Sequence, residues 1–99
     1  MIPKRFKLFG TTINVVFDNN KMDDVKAYGY YENSKTLITL SDRDGLHMLS
    51  MDRIMDTFYH ERTHAILELM QEYELSGNEK FVDVFSILLR QADVTAEYE

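Results

Sequence analysis

The amino-acid sequence predicts an α+β fold, in which a small antiparallel sheet of about four N-terminal strands precedes a long helix and a second, antiparallel helix. Short runs rich in β-branched and aromatic residues, typical of strands, occupy residues 4–40. No Pro or Gly interrupts residues 50–73, and apolar residues recur at helical spacing between residues 81 and 92. A chain of 99 residues is expected to form one domain, residues 1–99.

Composition narrows the classes of function. The net charge of −6 disfavours binding to nucleic acid through its phosphates. The chain contains no cysteine, so a metal site would have to use histidine and carboxylate ligands. No apolar run approaches the roughly 20 residues of a membrane-spanning helix, and no secretory signal follows the basic N-terminal residues. We therefore expect a cytoplasmic protein with no nucleic-acid or membrane partner.

Two β-hairpins are predicted, over residues 4–17 and 27–40, because turn-forming residues separate strand-like runs within each of them. The predicted strands are residues 5–9, 11–17, 27–31 and 35–40. Between the hairpins, the polar residues 21–26 are expected to form a loop that wraps an edge of the sheet.

The first long helix is predicted to begin after Ser50, a good N-cap residue, and to run to about Tyr73. It is apolar around most of its circumference, which predicts a central position between the sheet and the second helix. The pattern from Ser76 to Glu79 fits a capping box, in which Glu79 reaches back to the Ser76 amide. The second helix is then predicted to run to about Asp93.

The first helix contains the sequence His60-Glu61-Arg62-Thr63-His64, an HExxH motif. Residues four apart lie on one face of a helix, so both imidazoles can reach one metal ion. Glu61 follows the first histidine directly, where its carboxylate can reach a metal-bound water rather than the metal. The pattern predicts a zinc hydrolase site with His60 and His64 as ligands and Glu61 as the catalytic base.

A catalytic zinc site needs a third protein ligand, and the second helix offers Glu79 and Asp83. If the two helices are antiparallel about a turn near residue 75, His64 faces roughly residue 86, so Asp83 lies closer in height to the histidines. The capping box would also give Glu79 a structural role. The sequence therefore favours Asp83 over Glu79, with both retained as candidates.

Other residues carry weaker predictions. Tyr30, Tyr31 and Tyr59 have phenols that can donate a hydrogen bond to an oxyanion, although core or edge packing is the commoner role. An edge strand, with residues 35–40 as the candidate, is expected to hold an extended peptide substrate. Arg62 lies on the apolar side of its helix, and the sequence offers no partner for it.

The segment from His60 to Leu67 (HERTHAIL), after short hairpins and before a helix that contains residues 79–85, resembles the small HExxH zinc metallopeptidases of bacteriophages and prophages. More distantly it is similar to the ImmA/IrrE-type metallopeptidases of the zincin-like group. The resemblance implies one zincin-like domain over residues 1–99, two zinc-binding histidines, Glu61 as general base and an acidic third ligand on the second helix. Arg62, inside the motif, departs from the family pattern.

The sequence thus predicts a zinc-dependent metallopeptidase that hydrolyses a peptide bond of a protein or peptide substrate with a water activated by Glu61. The resemblance would place such an enzyme in the cytoplasm of the host cell. The alternative is a catalytically silent zincin-like protein that uses zinc structurally and binds a host or phage protein.

Overall fold

The structure is a computed structural model that describes residues 2–99. The described strands are β1 (Arg5–Leu8), β2 (Thr11–Phe17), β3 (Gly29–Glu32), β4 (Leu37–Leu40), β5 (Arg43–Asp44) and β6 (His47–Met48). The described helices are α1 (Asn19–Val25), α2 (Met51–Leu69), α3 (Tyr73–Ser76) and α4 (Glu79–Thr95). The predicted α+β class and its four-stranded N-terminal sheet are confirmed. Among residues 2–99, no helix has the length and apolar character needed to cross a membrane.

The main sheet has the strand order β1-β2-β4-β3, and its central pair is parallel. Both predicted hairpins are present as antiparallel pairs, β1 with β2 and β3 with β4. The prediction of an antiparallel sheet holds for the two outer pairs and is wrong for the central pair, because α1 carries the chain from β2 across to β3. Strand β4 then returns alongside β2 in the same direction. As a result β4 lies inside the sheet. The prediction that residues 35–40 form an edge strand is therefore wrong, and β3 is an edge strand instead.

Helix α1 replaces the loop predicted at residues 21–26. The Asp18 side chain caps the helix by accepting a hydrogen bond from the Lys21 backbone N–H, at 3.0 Å. Met22 is 1% exposed and anchors the helix in the core. Lys26 ends it in the left-handed conformation, with φ of 56°. Met22 is the one buried residue of α1, and the polar residues around it form no apolar pattern from which a helix could be predicted.

Helix α2 is the central element, as the sequence predicted. Ser50 caps it by accepting a hydrogen bond from the Arg53 backbone N–H, at 3.2 Å. Ile54, Phe58 and Ala65 point into the core beneath the sheet. The helix ends at Leu69, earlier than the predicted Tyr73.

Helix α4 packs on the side of α2 that faces away from the sheet, which gives three layers with α2 in the middle. It contributes only two fully buried residues, Val82 and Ser86. Arg62 of α2 finds its partners on its own helix, since its guanidinium carbon lies 4.3 Å from the centre of the Tyr59 ring and 5.7 Å from that of Phe58. These cation–π contacts explain how a cation is accommodated on the apolar side of α2.

Candidate metal centre

The two histidines of the HExxH motif lie in the middle of α2, one turn apart, and face α4. Their Nε2 atoms are 3.2 Å apart, and their side chains are 22% (His60) and 15% (His64) exposed. The unbroken helix fixes this pairing, because residues four apart stand above one another. The motif therefore brings two imidazole nitrogens to one partly buried point.

The other ring nitrogen of each histidine has a partner of its own. His60 Nδ1 lies 2.9 Å from Asp83 Oδ1, and His64 Nδ1 lies 2.9 Å from Ser76 Oγ. The Ser76 hydroxyl in turn donates to Glu68 Oε2, at 3.0 Å. A carboxylate accepts only, and the Ser76 proton is committed to Glu68, so both Nδ1 atoms must carry the donated hydrogen. In the neutral rings, both Nε2 atoms are then left with a free lone pair.

Glu79 brings a carboxylate to the same point. One of its oxygens lies 3.4 Å from His60 Nε2, and the other lies 3.3 Å from His64 Nε2. The predicted capping box does not form, because the N-cap of α4 is Asn78, whose side chain accepts from the Phe81 backbone N–H at 3.1 Å. Asn78 thereby leaves the Glu79 side chain free to face the histidines.

These three donor groups fit a metal ion such as zinc. The ligand atoms of His60, His64 and Glu79 all lie within 4.8 Å of one another. Zinc–nitrogen and zinc–oxygen bonds of about 2.0–2.1 Å in a tetrahedron imply ligand separations of about 3.3 Å. The two Nε2 atoms are 3.2 Å apart, and each lies 3.3–3.4 Å from a Glu79 oxygen, a different oxygen for each histidine, so the three groups are spaced close to that value. Two imidazoles with one carboxylate is also a donor set of known catalytic zinc sites.

The structure places the two candidate third ligands at different nitrogens of the histidines. Glu79 lies between the two free Nε2 atoms, whereas Asp83 lies on the far side of the His60 ring, at Nδ1. The estimate from the sequence placed a simple turn near residue 75. In the structure the short helix α3 fills that region, and the first turn of α4 is level with the histidines. No feature of the sequence predicts the level along α2 at which the first turn of α4 lies.

Glu61 is 7% exposed and lines the same cleft. Burial, together with the negative charge of Glu79, raises the pKa of Glu61 to about 8, against an opposing hydrogen bond from the Tyr31 backbone. Gly29 allows β3 to pack closely against α2 at Thr57 and Glu61, because glycine has no side chain. A Cβ atom at Gly29 would lie 2.4 Å from Thr57 Cγ2 and 3.1 Å from Glu61 Cγ.

A cleft of about 530 Å³ runs past these groups, between the β3 edge, α2 and the α3–α4 turn. Its walls include Tyr30, Tyr31 and Tyr73. Burial and the neighbouring His60 ring lower the pKa of His64, which favours the neutral ring with a free lone pair. The cleft is therefore lined both by polar groups, which include the histidines, Glu61 and Glu79, and by the aromatic rings of the three tyrosines.

Two of the three predicted oxyanion donors are engaged elsewhere. Tyr59 donates its phenolic proton to Asp93, at 2.5 Å, and Tyr31 donates to Asn33, at 2.9 Å. Tyr30 lines the cleft and is 46% exposed.

Sequence reasoning missed Ser76 and Glu68 as partners of His64. Glu68 could have been found, because it follows His64 by four residues and shares its helix face. Ser76 lies in another element, and no spacing pattern links it to His64.

The chain was compared with known proteins at three levels. It matches no protein-family model, no curated protein and no solved structure. The resemblance to phage HExxH metallopeptidases therefore remains an expectation carried by the motif and its neighbouring helix.

Proposed function

We propose that this protein is a zinc-dependent peptidase. The observation that carries the proposal is the convergence of two Nε2 lone pairs and the Glu79 carboxylate, with no hydrogen available among them in the neutral tautomers. Acceptors 3.2–3.4 Å apart repel one another unless a proton or a metal cation lies between them. Burial and the neighbouring His60 ring lower the pKa of His64, which disfavours a proton there. In the part of the chain that the structure describes, no lysine or arginine pairs with these acceptors, so a bound metal ion is the natural counter-charge.

His60, His64 and Glu79 would hold the ion. When bound, zinc supplies Lewis acidity, which makes water acidic enough to lose a proton near neutral pH and polarises a carbonyl group. Asp83 and Ser76 would orient the two rings through their Nδ1 atoms, as outer groups do around many metal sites. We therefore assign Asp83 a positioning role rather than a ligand role.

Glu61 would serve as the general base. The residue is 7% exposed and lines the same cleft as both histidines, where its carboxylate could reach a water that is bound near them. It would take a proton from the attacking water and deliver it to the departing amine. This role suits a carboxylate that lines the same cleft as the proposed ligands without being one of them.

The edge strand β3 supports a peptide as the substrate. It borders the cleft, has β4 on one side only, and approaches α2 closely at Gly29. An extended peptide could add to this edge as a further antiparallel or parallel strand, with its backbone beside the metal-binding groups. Tyr30 and Tyr73 offer apolar surface for the substrate side chains.

The test is Glu61→Gln, which preserves shape but cannot act as a base. We expect the variant to retain zinc, measured by metal analysis after dialysis, and to lose hydrolysis of a peptide library by about 10²–10⁴-fold. Glu97→Gln, which removes an exposed carboxylate in the C-terminal tail, is the matched control and should cleave normally. Equal cleavage by the wild type and Glu61→Gln would refute the mechanism.

A structural role for zinc is the second candidate, favoured by the thin packing of α4, in which only Val82 and Ser86 are fully buried. An ion shared by the α2 histidines and Glu79 would tie the two helices together. Thermal melting with and without a chelator distinguishes the two functions. A large fall in melting temperature, in a zinc-loaded protein that hydrolyses none of the library, would favour the structural role.

A further inference from the structure

A second cavity adjoins the cleft at the proposed metal centre. It has a volume of about 310 Å³ and lies between the start of β3, the middle of α2 and the second turn of α4. Gly29, His60 and Glu61 line both the cleft and this cavity, so the two spaces meet at a proposed ligand and at the proposed base. We call it the side cavity. Besides the three shared residues, its lining includes Tyr28, Asp56, Asp83 and Ile87.

The cleft and the side cavity follow one another along the elements that border them. On β3, Tyr28 lines the side cavity and Tyr30 lines the cleft. On α2, Thr57 lines the side cavity and His64 lines the cleft, in the same order along the chain. An extended peptide beside β3 would therefore cross both spaces. The side cavity is thus placed to receive a substrate side chain close to the bond that the metal centre would cleave.

The side cavity has two aspartates in its lining, and no lysine or arginine of residues 2–99 lines it. Asp56 Oδ1 accepts from Arg90, at 2.6 Å, and Asp83 Oδ1 lies 2.9 Å from His60 Nδ1. A carboxylate has about four acceptor positions on its two oxygens, so each aspartate can accept from a further donor. Arg90 is shared between Asp56 and Asp52, and the neutral His60 ring leaves the charge of Asp83 uncompensated. These groups favour a cation in the side cavity.

Apolar surface accompanies the two carboxylates. Tyr28 is 37% exposed and Ile87 is 53% exposed, and both line the side cavity. Lysine and arginine bury their methylene groups against such surfaces while their charged ends contact polar groups. The Tyr28 ring already contacts one guanidinium, since the guanidinium carbon of Arg53 lies 5.5 Å from the ring centre, and Arg53 does not line the side cavity. The lining therefore fits a long side chain with a positive charge at its end.

We propose that the side cavity binds the side chain of a lysine or arginine next to the cleaved peptide bond, so that the substrates are chains with basic residues. Tyr28 and Ile87 would contact the methylene groups, and Asp83 would accept hydrogen bonds from the ammonium or guanidinium group. The position of the cleaved bond rests on the proposed peptidase function. The preference for a cation rests on the side cavity alone.

Cleavage of a peptide library with blocked ends tests the preference. Acetylated N-termini and amidated C-termini ensure that any bound cation is a side chain rather than a terminal amine. Mass spectrometry of the products identifies the residues on each side of the cleaved bond. We expect lysine and arginine to exceed glutamate by at least about tenfold at one of these two positions, because a like charge beside Asp83 is disfavoured. Cleavage with no preference for basic residues would overturn the proposal.

Ile87→Lys tests whether the side cavity causes the preference. The variant places a cation in the lining, so the ratio of lysine to glutamate beside the cleaved bond should fall by about tenfold. Val84→Lys is the matched control, because Val84 is a 49% exposed apolar residue of the same helix that does not line the side cavity. The control carries the same net charge and should keep the wild-type ratio. An equal fall in both variants, with both shown to be folded by circular dichroism, would overturn the proposal.

Peptide binding separates this proposal from the proposed function. Fluorescence anisotropy with zinc-loaded Glu61→Gln compares two blocked, alanine-based peptides, one with central lysines and one with central glutamates. We expect tighter binding of the lysine peptide, and loss of that difference when Ile87→Lys is added. This result in a protein that hydrolyses nothing would support the side cavity and refute only the peptidase. Equal binding of the two peptides would overturn the side-cavity proposal, even if the wild type proves to be a peptidase.

Discussion

Helices α2 and α4 are joined at two places, and the two junctions are built in opposite ways. At one end, Arg90 of α4 donates to Asp56, at 2.6 Å, and to Asp52, at 2.9 Å. Tyr59 donates to Asp93 at the same end, at 2.5 Å. Each acceptor there has a donor from the other helix. We call this the arginine junction.

At the other end, which we call the histidine junction, the groups that converge are all acceptors. In the neutral tautomers, the Nε2 atoms of His60 and His64 and the carboxylate of Glu79 converge as three acceptor groups. The Nδ1 atom of each ring has a hydrogen-bond partner, Asp83 for His60 and Ser76 for His64, which fixes the orientation of both rings. The same pair of helices thus pairs every carboxylate of the arginine junction with a donor, although Arg90 Nε is buried without a partner, and brings acceptors together beside a cleft at the histidine junction, where they could hold a metal ion.

Glu79→Gln gives the largest expected effect, because it removes a charge from the histidine junction while preserving its shape. We expect zinc affinity to fall by more than the roughly 100-fold that marks the upper range for an outer-shell residue. Isothermal titration calorimetry would measure this loss. Asp83→Asn is the comparison variant and should lose only about 10–100-fold. A larger loss for Asp83→Asn than for Glu79→Gln would restore Asp83 as the ligand.

Arg90→Met tests the arginine junction. It removes the donor shared by Asp52 and Asp56 and retains much of the apolar stem, so we expect the free energy of unfolding to fall by about 1–3 kcal/mol. Urea denaturation measures the change. Zinc stoichiometry in the folded variant should be unaffected, because Arg90 contacts neither histidine. A loss of zinc binding in the folded variant would show that the two junctions are coupled.

Ser76→Ala gives the smallest expected effect, since Ser76 only orients His64. We expect zinc affinity to fall by about tenfold, the lower end for an outer-shell group, because the His64 tautomer is no longer held. Ser86→Ala is the matched control: Ser86 is also a buried serine, and its hydroxyl donates to the Asp83 backbone rather than to a ring. Equal losses in the two variants would point to packing rather than tautomer control.

Much of the fold could be predicted because its signals are local. Ser50 caps α2 where its side chain and the following helical run indicated, and both hairpins follow from strand-like runs around short turns. Helix α1 was missed because a single buried residue, Met22, provides the apolar anchor in an otherwise polar segment. The capping box was wrong for a similar reason. Asn78 and Ser76 are both good capping residues, and tertiary contacts with His64 determine that Ser76 serves the histidine junction instead.

The sequence by itself determined that His60 and His64 share one face of a helix, because the four-residue spacing fixes their relation within a single element. The tertiary structure decided where the two candidate acids lie, with Glu79 near both Nε2 atoms and Asp83 at Nδ1 of His60. That placement depends on how far α3 carries the chain before α4 begins, and on the height at which α4 packs against α2. It also decided that β4 is internal and β3 forms the edge beside the cleft. Contacts between distant elements depend on how whole surfaces pack, and local spacing does not encode them.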